Sequence, residues 1–226
     1  MIAIGQDAAA AEQLRTSLKD SLTMGGQMEL VVRQGDPPDQ VTGEQAGALY
    51  ELLLLPVDEP SSTRPNRLDP LTANILERMN KLWATPVLLI KGEPRPVKRL
   101  LICTAAGEPG KGDVRVGGRL ARQLGADVTL LYITKHGTEP PPLVRSHLAL
   151  AAATLRALDV NNTTRIRVAQ SPADGILAEA REGNYDVIVL GSHGPQARSI
   201  FGIDDVTLQV VSNADRPILI VPDESV

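Results

Sequence analysis

VIVLGSHGPQARSIFGIDDVTLQVVSNADRPILIVP, residues 187–222, is the stretch whose reading decides the fold. Val187 to Leu190 form an uninterrupted apolar run rich in β-branched residues, the pattern of a strand buried on both faces. Gly191-Ser192-His193-Gly194 follow at once, then a mixed loop, then Val206, Val210 and Val211 at helical spacing. Pro217 opens a second buried run, Ile218 to Val221. A strand that runs into a glycine turn and then a helix places a ligand site at the carboxyl end of a parallel sheet.

Working outward, the second half alternates strands and helices. Strands are expected at 100–103, 128–133 and 164–169, and helices at 114–124, 143–158 and 173–181. The Gly117-Gly118 pair fits a helix packed close to the sheet. KGEPRPVKR, residues 91–99, reads as a linker by its prolines and basic residues. Before it, strands are expected at 1–5, 28–33, 52–55 and 87–90, with helices at 8–22, 39–46 and 71–79.

The halves are related. DPPDQVTGEQAGALYELLLLP (36–56) lies over SPADGILAEAREGNYDVIVLG (171–191) without a gap, pairing Pro37 with Pro172, Tyr50 with Tyr185 and Leu55 with Leu190. TPVLLI (85–90) lies over RPILIV (216–221). Such a repeat implies two copies of one supersecondary unit. The first copy is one βα unit short before its strand at 28–33; residues 1–5 are expected to be its central strand.

At 226 residues the chain is long enough for one large or two small domains. Aromatics are only 2 %, so the core must be built from Leu, Ile, Val and Ala, and stacking platforms for single-stranded nucleic acid are missing. A net charge of −4 gives no overall basic field for DNA or anionic membranes. No apolar run approaches the roughly 20 residues of a membrane helix, and Met1 opens no leader pattern. One cysteine, Cys103, excludes an intrachain disulfide. The expectation is a cytoplasmic protein with no nucleic-acid or membrane partner.

The 187–222 stretch resembles the universal stress protein family, whose pattern runs strand, G-x-x-G, nine residues, G-[ST], helix, then a strand after a proline. The resemblance covers nearly all of residues 97–222 and, more weakly, 28–91. It implies an α/β protein of two doubly wound, mainly parallel, five-stranded-type Rossmann-like sheets: a truncated, degenerate domain at 1–92 and a complete one at 97–226. Members with two copies pair them through their last strands, here 87–90 and 218–221, and a homodimer between chains is expected as well.

In ATP-binding members, an aspartate after the first strand holds the ribose or adenine side, and the glycine turns bind the phosphates. Glycine lets the backbone approach the oxyanions, and the following helix directs its positive end at them. Carried onto this chain, the candidate nucleotide-binding residues are Thr104, Ala105, Ile133, Gly191, Ser192, His193 and Gly194. Ala105 stands at the aspartate position, and its methyl group cannot bind a hydroxyl. Asp204-Asp205 stand in place of G-[ST]. Each carboxylate would repel a phosphate by ~4 kcal/mol at contact with an effective dielectric near 20, before screening. Magnesium or Arg198 would blunt this, and an aspartate here also suits a helix N-cap. The first half departs further, with Pro56 where the second has Gly191.

GEPGKGD, residues 107–113, has too short a spacing for a phosphate loop, and Gly112 replaces its Ser or Thr. His136, His147 and His193 are scattered and Cys103 is solitary, so there is no zinc pattern. There is no G-x-S-x-G elbow. The expectation is a non-catalytic, stress-associated binding or interaction protein with no metal and no ordinary ATP binding. The alternative is a sensor that takes ATP or AMP on Gly191 to Gly194 of the second domain.

Overall fold

The computed structural model describes residues 2–5, 31–47, 50–57, 70–79, 85–92, 95–104, 112–134, 140–192 and 205–222. The helix expected at 8–22 lies outside them. Two compact units form: Met1–Tyr50 with Pro70–Leu82, and Glu51–Asp69 with Trp83–Val226.

In the smaller unit, strands β1 (Ile2–Gly5) and β2 (Val31–Gln34) pair in parallel, Ile2 opposite Val31 and Gly5 opposite Gln34. Helix α1 (Pro37–Gly47) packs on both strands and on α2 (Pro70–Met79). Each helix opens on a proline, whose missing N–H costs nothing in a first turn. Thr72, Ile75 and Leu76 are the buried side of α2.

The larger unit is one seven-stranded sheet. Its strands are β3 (Leu53–Pro56), β4 (Val87–Ile90), β5 (Arg99–Cys103), β6 (Asp127–Thr134), β7 (Asn162–Val168), β8 (Val187–Ser192) and β9 (Ile218–Pro222). The order is β3-β4-β9-β8-β5-β6-β7. All neighbours are parallel except β4 and β9, which run antiparallel with Leu88 opposite Leu219. That junction joins the segments 87–90 and 218–221, the pairing that the family resemblance implied. The strands of the first copy are therefore divided: β3 and β4 extend the large sheet, while β1 and β2 form a pair of their own.

Four helices belong to the larger unit among the described residues: α3 (Gly112–Leu124), α4 (Pro142–Ala157), α5 (Pro172–Glu182) and α6 (Asp205–Asn213). Val187 to Leu190 are 0–4 % exposed, so β8 is buried on both faces as its composition required. Leu100, Ile102, Leu130, Val189 and Leu219 form one core with Val144, Leu148 and Leu155 of α4. Gly117 faces the sheet, where an added Cβ would lie 2.8 Å from Ile102 Cδ1. Gly118 instead faces α4, with Leu155 Cδ2 and Leu158 Cδ1 at 2.8 Å, so the pair brings α3 close to two neighbours rather than one.

The segment read as a linker is anchored at both ends. Lys91 is buried, and its ammonium donates to the carbonyls of Val211 (2.5 Å) and Ala214 (3.3 Å) at the carboxyl end of α6. A cation there complements the negative end of the helix. Gly92 adopts φ +71°, and a Cβ on it would meet the Asp215 carbonyl oxygen at 2.9 Å. Further on, Asp186 accepts the backbone N–H groups of Lys98 (2.8 Å) and Arg99 (2.9 Å) and pairs with Arg95 at 3.2 Å.

At the outer edge, Leu53 N–H donates to Pro86 O (2.9 Å) and Val57 N–H to Ile90 O (3.0 Å). Strand alternation then turns the backbone groups of Leu54 and Pro56 away from β4. Pro56 has no N–H to offer, which suits an edge strand.

Candidate functional site

The site expected from the sequence lies at the carboxyl ends of β5 and β8. Register sets Cys103 opposite Leu190, so Thr104 and Gly191 fall side by side just beyond them. Thr104 N–H donates to Leu131 O on β6 at 3.0 Å, which holds it in line with the sheet. Ile133, on β6, is half-buried and packs against α5, its Cδ1 lying 2.8 Å from a Cβ added to Gly175. Ser192 ends β8. Ala105, His193 and Gly194 lie outside the described residues, as does Asp204. Asp205 is the first residue of α6 and is exposed, a favourable place for a carboxylate at the positive end of a helix.

The structure adds a residue that the sequence reading passed over. Asp113 sits in the first turn of α3, 3 % exposed, with its Oδ1 accepting the N–H of Val114 at 2.8 Å. Its Oδ2 lies 3.6 Å from a Cβ built on Gly191. A carboxylate thus stands against the glycine that opens the G-x-x-G turn. The available signal was position: Asp113 closes GEPGKGD, directly before the amphipathic run of α3, where an aspartate favours a helix start.

The carboxylates of Asp113 and Glu179 act on the thiol of Cys103. Its thiol is pushed up from the ordinary value, first by burial and then by the charges of Asp113 and Glu179. Cys103 itself is only partly buried by its accessible surface, because it ends β5 rather than lying within it. Glu179, 1 % exposed on α5, is held by Arg165 (3.2 Å) and Arg167 (3.0 Å) of β7. No group of three or more metal-ligating side chains occurs among the described residues. No helix among them is long and apolar enough to cross a membrane.

A mostly parallel sheet whose strands β5, β6, β7, β8 and β9 alternate with helices defines a doubly wound α/β protein. The profile of the universal stress protein family matches residues 96–222, more than half the chain, and the chain belongs to that family. Among solved structures, it is similar to a universal stress protein from Archaeoglobus fulgidus, at 14 % identity and TM-score 0.71, over 96 % of this chain and 78 % of that one. It is also similar to a functionally unknown protein from Pseudomonas aeruginosa, at 15 % identity and TM-score 0.66, over 99 % and 81 %. A universal stress protein from Archaeoglobus fulgidus in complex with dAMP matches at 17 % identity and TM-score 0.45, over 57 % of this chain and 100 % of that one, too weak a likeness to align sites. No curated protein matches the sequence. These likenesses concern the fold.

Proposed function

We propose that this chain is a non-catalytic universal stress protein that works by binding a partner and has lost ordinary ATP binding. The observation that carries the reading is Asp113 beside Gly191. Where a family member brings backbone amides to a triphosphate, this chain holds a buried carboxylate whose Oδ2 lies 3.6 Å from a Cβ built on Gly191. One such carboxylate opposes each nearby phosphate charge by ~4 kcal/mol at contact with an effective dielectric near 20. Ala105 and Asp204-Asp205 act in the same direction: one removes the sugar ligand and the others add charge at the second phosphate turn. In this reading the two domains, 1–92 and 97–226, are tandem copies joined by the β4–β9 junction, and the protein is cytoplasmic and self-associating.

One observation favours the second reading, a sensor that takes ATP or AMP at Thr104, Ile133 and Gly191 to Gly194. Gly191 does not adopt positive φ, and an alanine Cβ there would meet described neighbours only at 3.6 Å and beyond. Packing against the described residues does not demand glycine, whereas close approach of a ligand would.

The test is to denature freshly purified protein and run the supernatant on an anion-exchange column against adenine nucleotide standards. An empty supernatant is expected. Nucleotide near one per chain would overturn the first reading in favour of the second.

A further inference from the structure

We propose that the outer surface of helices α3 and α4 docks an acidic, amphipathic helix of a partner protein. The chain carries a net charge of −4, yet its charge is not evenly spread. Helices α3 and α4 together hold five arginines, and beyond Asp113, buried in the first turn of α3, they contain no acidic residue. They also contain no aromatic residue.

Helical spacing sorts these side chains into two facing rows. On α3, a Cβ built on Gly118 would meet Leu155 of α4 and Leu158 just beyond it, which fixes the side of α3 that meets its neighbour. Arg115 and Arg122 lie three before and four after Gly118, and Arg119 follows it by one, so the three flank the line of contact. On α4, Leu143, His147 and Leu150 share one stripe, a turn outside Ala151 and Leu158. Leu143 is 59 % exposed and Leu150 46 %, while Arg119 and Arg122 are exposed too. The surface thus sets exposed arginines of α3 beside exposed leucines of α4.

Charge complementarity selects the occupant. A symmetric second copy would set arginine rows against each other, which costs free energy. A lipid surface would accept the arginines, but the exposed apolar anchors on these helices are leucines alone, with no aromatic ring to settle at the interface. A partner helix with Leu or Ile on one stripe and Asp or Glu on the next satisfies both rows, the usual helix-in-groove arrangement. The surface gives the interaction reading above a location but does not rest on it: nucleotide at Gly191 would leave it standing.

The test selects binders to the full chain from a displayed library of random helix-length peptides. The selection is repeated on the variant carrying Arg119→Glu and Arg122→Glu, with Arg119→Gln and Arg122→Gln as a milder pair should the first fold poorly. Circular dichroism checks folding. The expected result is enrichment of peptides with acidic and leucine stripes at helical spacing, whose affinity falls at least about tenfold in either pair, ~1.4 kcal/mol, and falls with added salt. Selected peptides without acidic enrichment, or binding indifferent to both pairs, would overturn the proposal. So would flotation of the wild-type chain with phosphatidylglycerol vesicles that is lost in the variants, which assigns the surface to lipid. A dimer in sedimentation that is lost in the variants assigns it to a second copy and is equally fatal.

Discussion

The Asp113 carboxylate lies 3.6 Å from where a side chain on Gly191 would begin, at the junction of the first turn of α3 and the end of β8. In the reading proposed above, this carboxylate opposes phosphate at Gly191. Removing it should restore affinity. The variant Asp113→Asn, combined with Ala105→Asp, Asp204→Gly and Asp205→Ser, should bind magnesium-ATP at least about tenfold more tightly than the unaltered chain, a small part of the ~4 kcal/mol repulsion available per carboxylate. Equilibrium dialysis with labelled ATP measures this. A folded variant that stays inert would show the site to be misassigned.

Cys103 offers a second readout of the same charge. Its thiol is raised above 9.0 by burial, with Asp113 and Glu179 adding to the effect. It should therefore react slowly with maleimide near neutral pH, and faster in Asp113→Asn. The sign of the linkage follows from the raised value. The unfolded chain releases the thiol proton first, so the stabilising contribution is complete below the unfolded value and declines as pH rises above about 9. Urea denaturation across that range should show the decline, and Cys103→Ala should flatten it.

Gly183 ends α5 directly beside Tyr185, whose ring is 1 % exposed and lies under the Arg99 guanidinium at 4.7 Å. A Cβ on Gly183 would come within 2.2 Å of Tyr185 Cε2. The ring is buried, so a methyl group there must displace it from its packed position. Gly183→Ala should destabilise the larger unit by about 1–3 kcal/mol, read as a lowered urea midpoint.

Lys91 ties the end of β4 to the end of α6, its ammonium serving the Val211 and Ala214 carbonyls. Lys91→Met keeps the aliphatic stem but leaves those carbonyls without this donor. A loss of about 1–3 kcal/mol is expected, together with faster hydrogen exchange at the α6 terminus and along β9. Unchanged exchange there would deny Lys91 a role at the junction.

Much of this architecture could be read before the structure. Buried β-branched runs such as Val187–Leu190 favour strands, and the family resemblance named 87–90 and 218–221 as strands that pair. What stayed hidden was long-range and polar. Lys91 and Arg95 sit in a segment that composition marks as a solvated linker, but their partners are Val211, Ala214 and Asp186, far along the chain. Local propensity carries no record of such pairs. Asp113 was hidden for a related reason: it resembles an ordinary helix start, and only the return of β8 brings Gly191 beside it. The division of the first copy, with β1 and β2 apart from β3 and β4, was equally beyond a pattern that sees strands but not their neighbours.

The most direct test of the account is calorimetric titration of magnesium-ATP into the unaltered chain, freed of any carried nucleotide by refolding. The account predicts no saturable heat at millimolar ATP, with heat appearing once Asp113→Asn and the substitutions at 105, 204 and 205 are introduced. Saturable, near-stoichiometric binding by the unaltered chain would contradict it, because the Asp113 carboxylate would then not block phosphate.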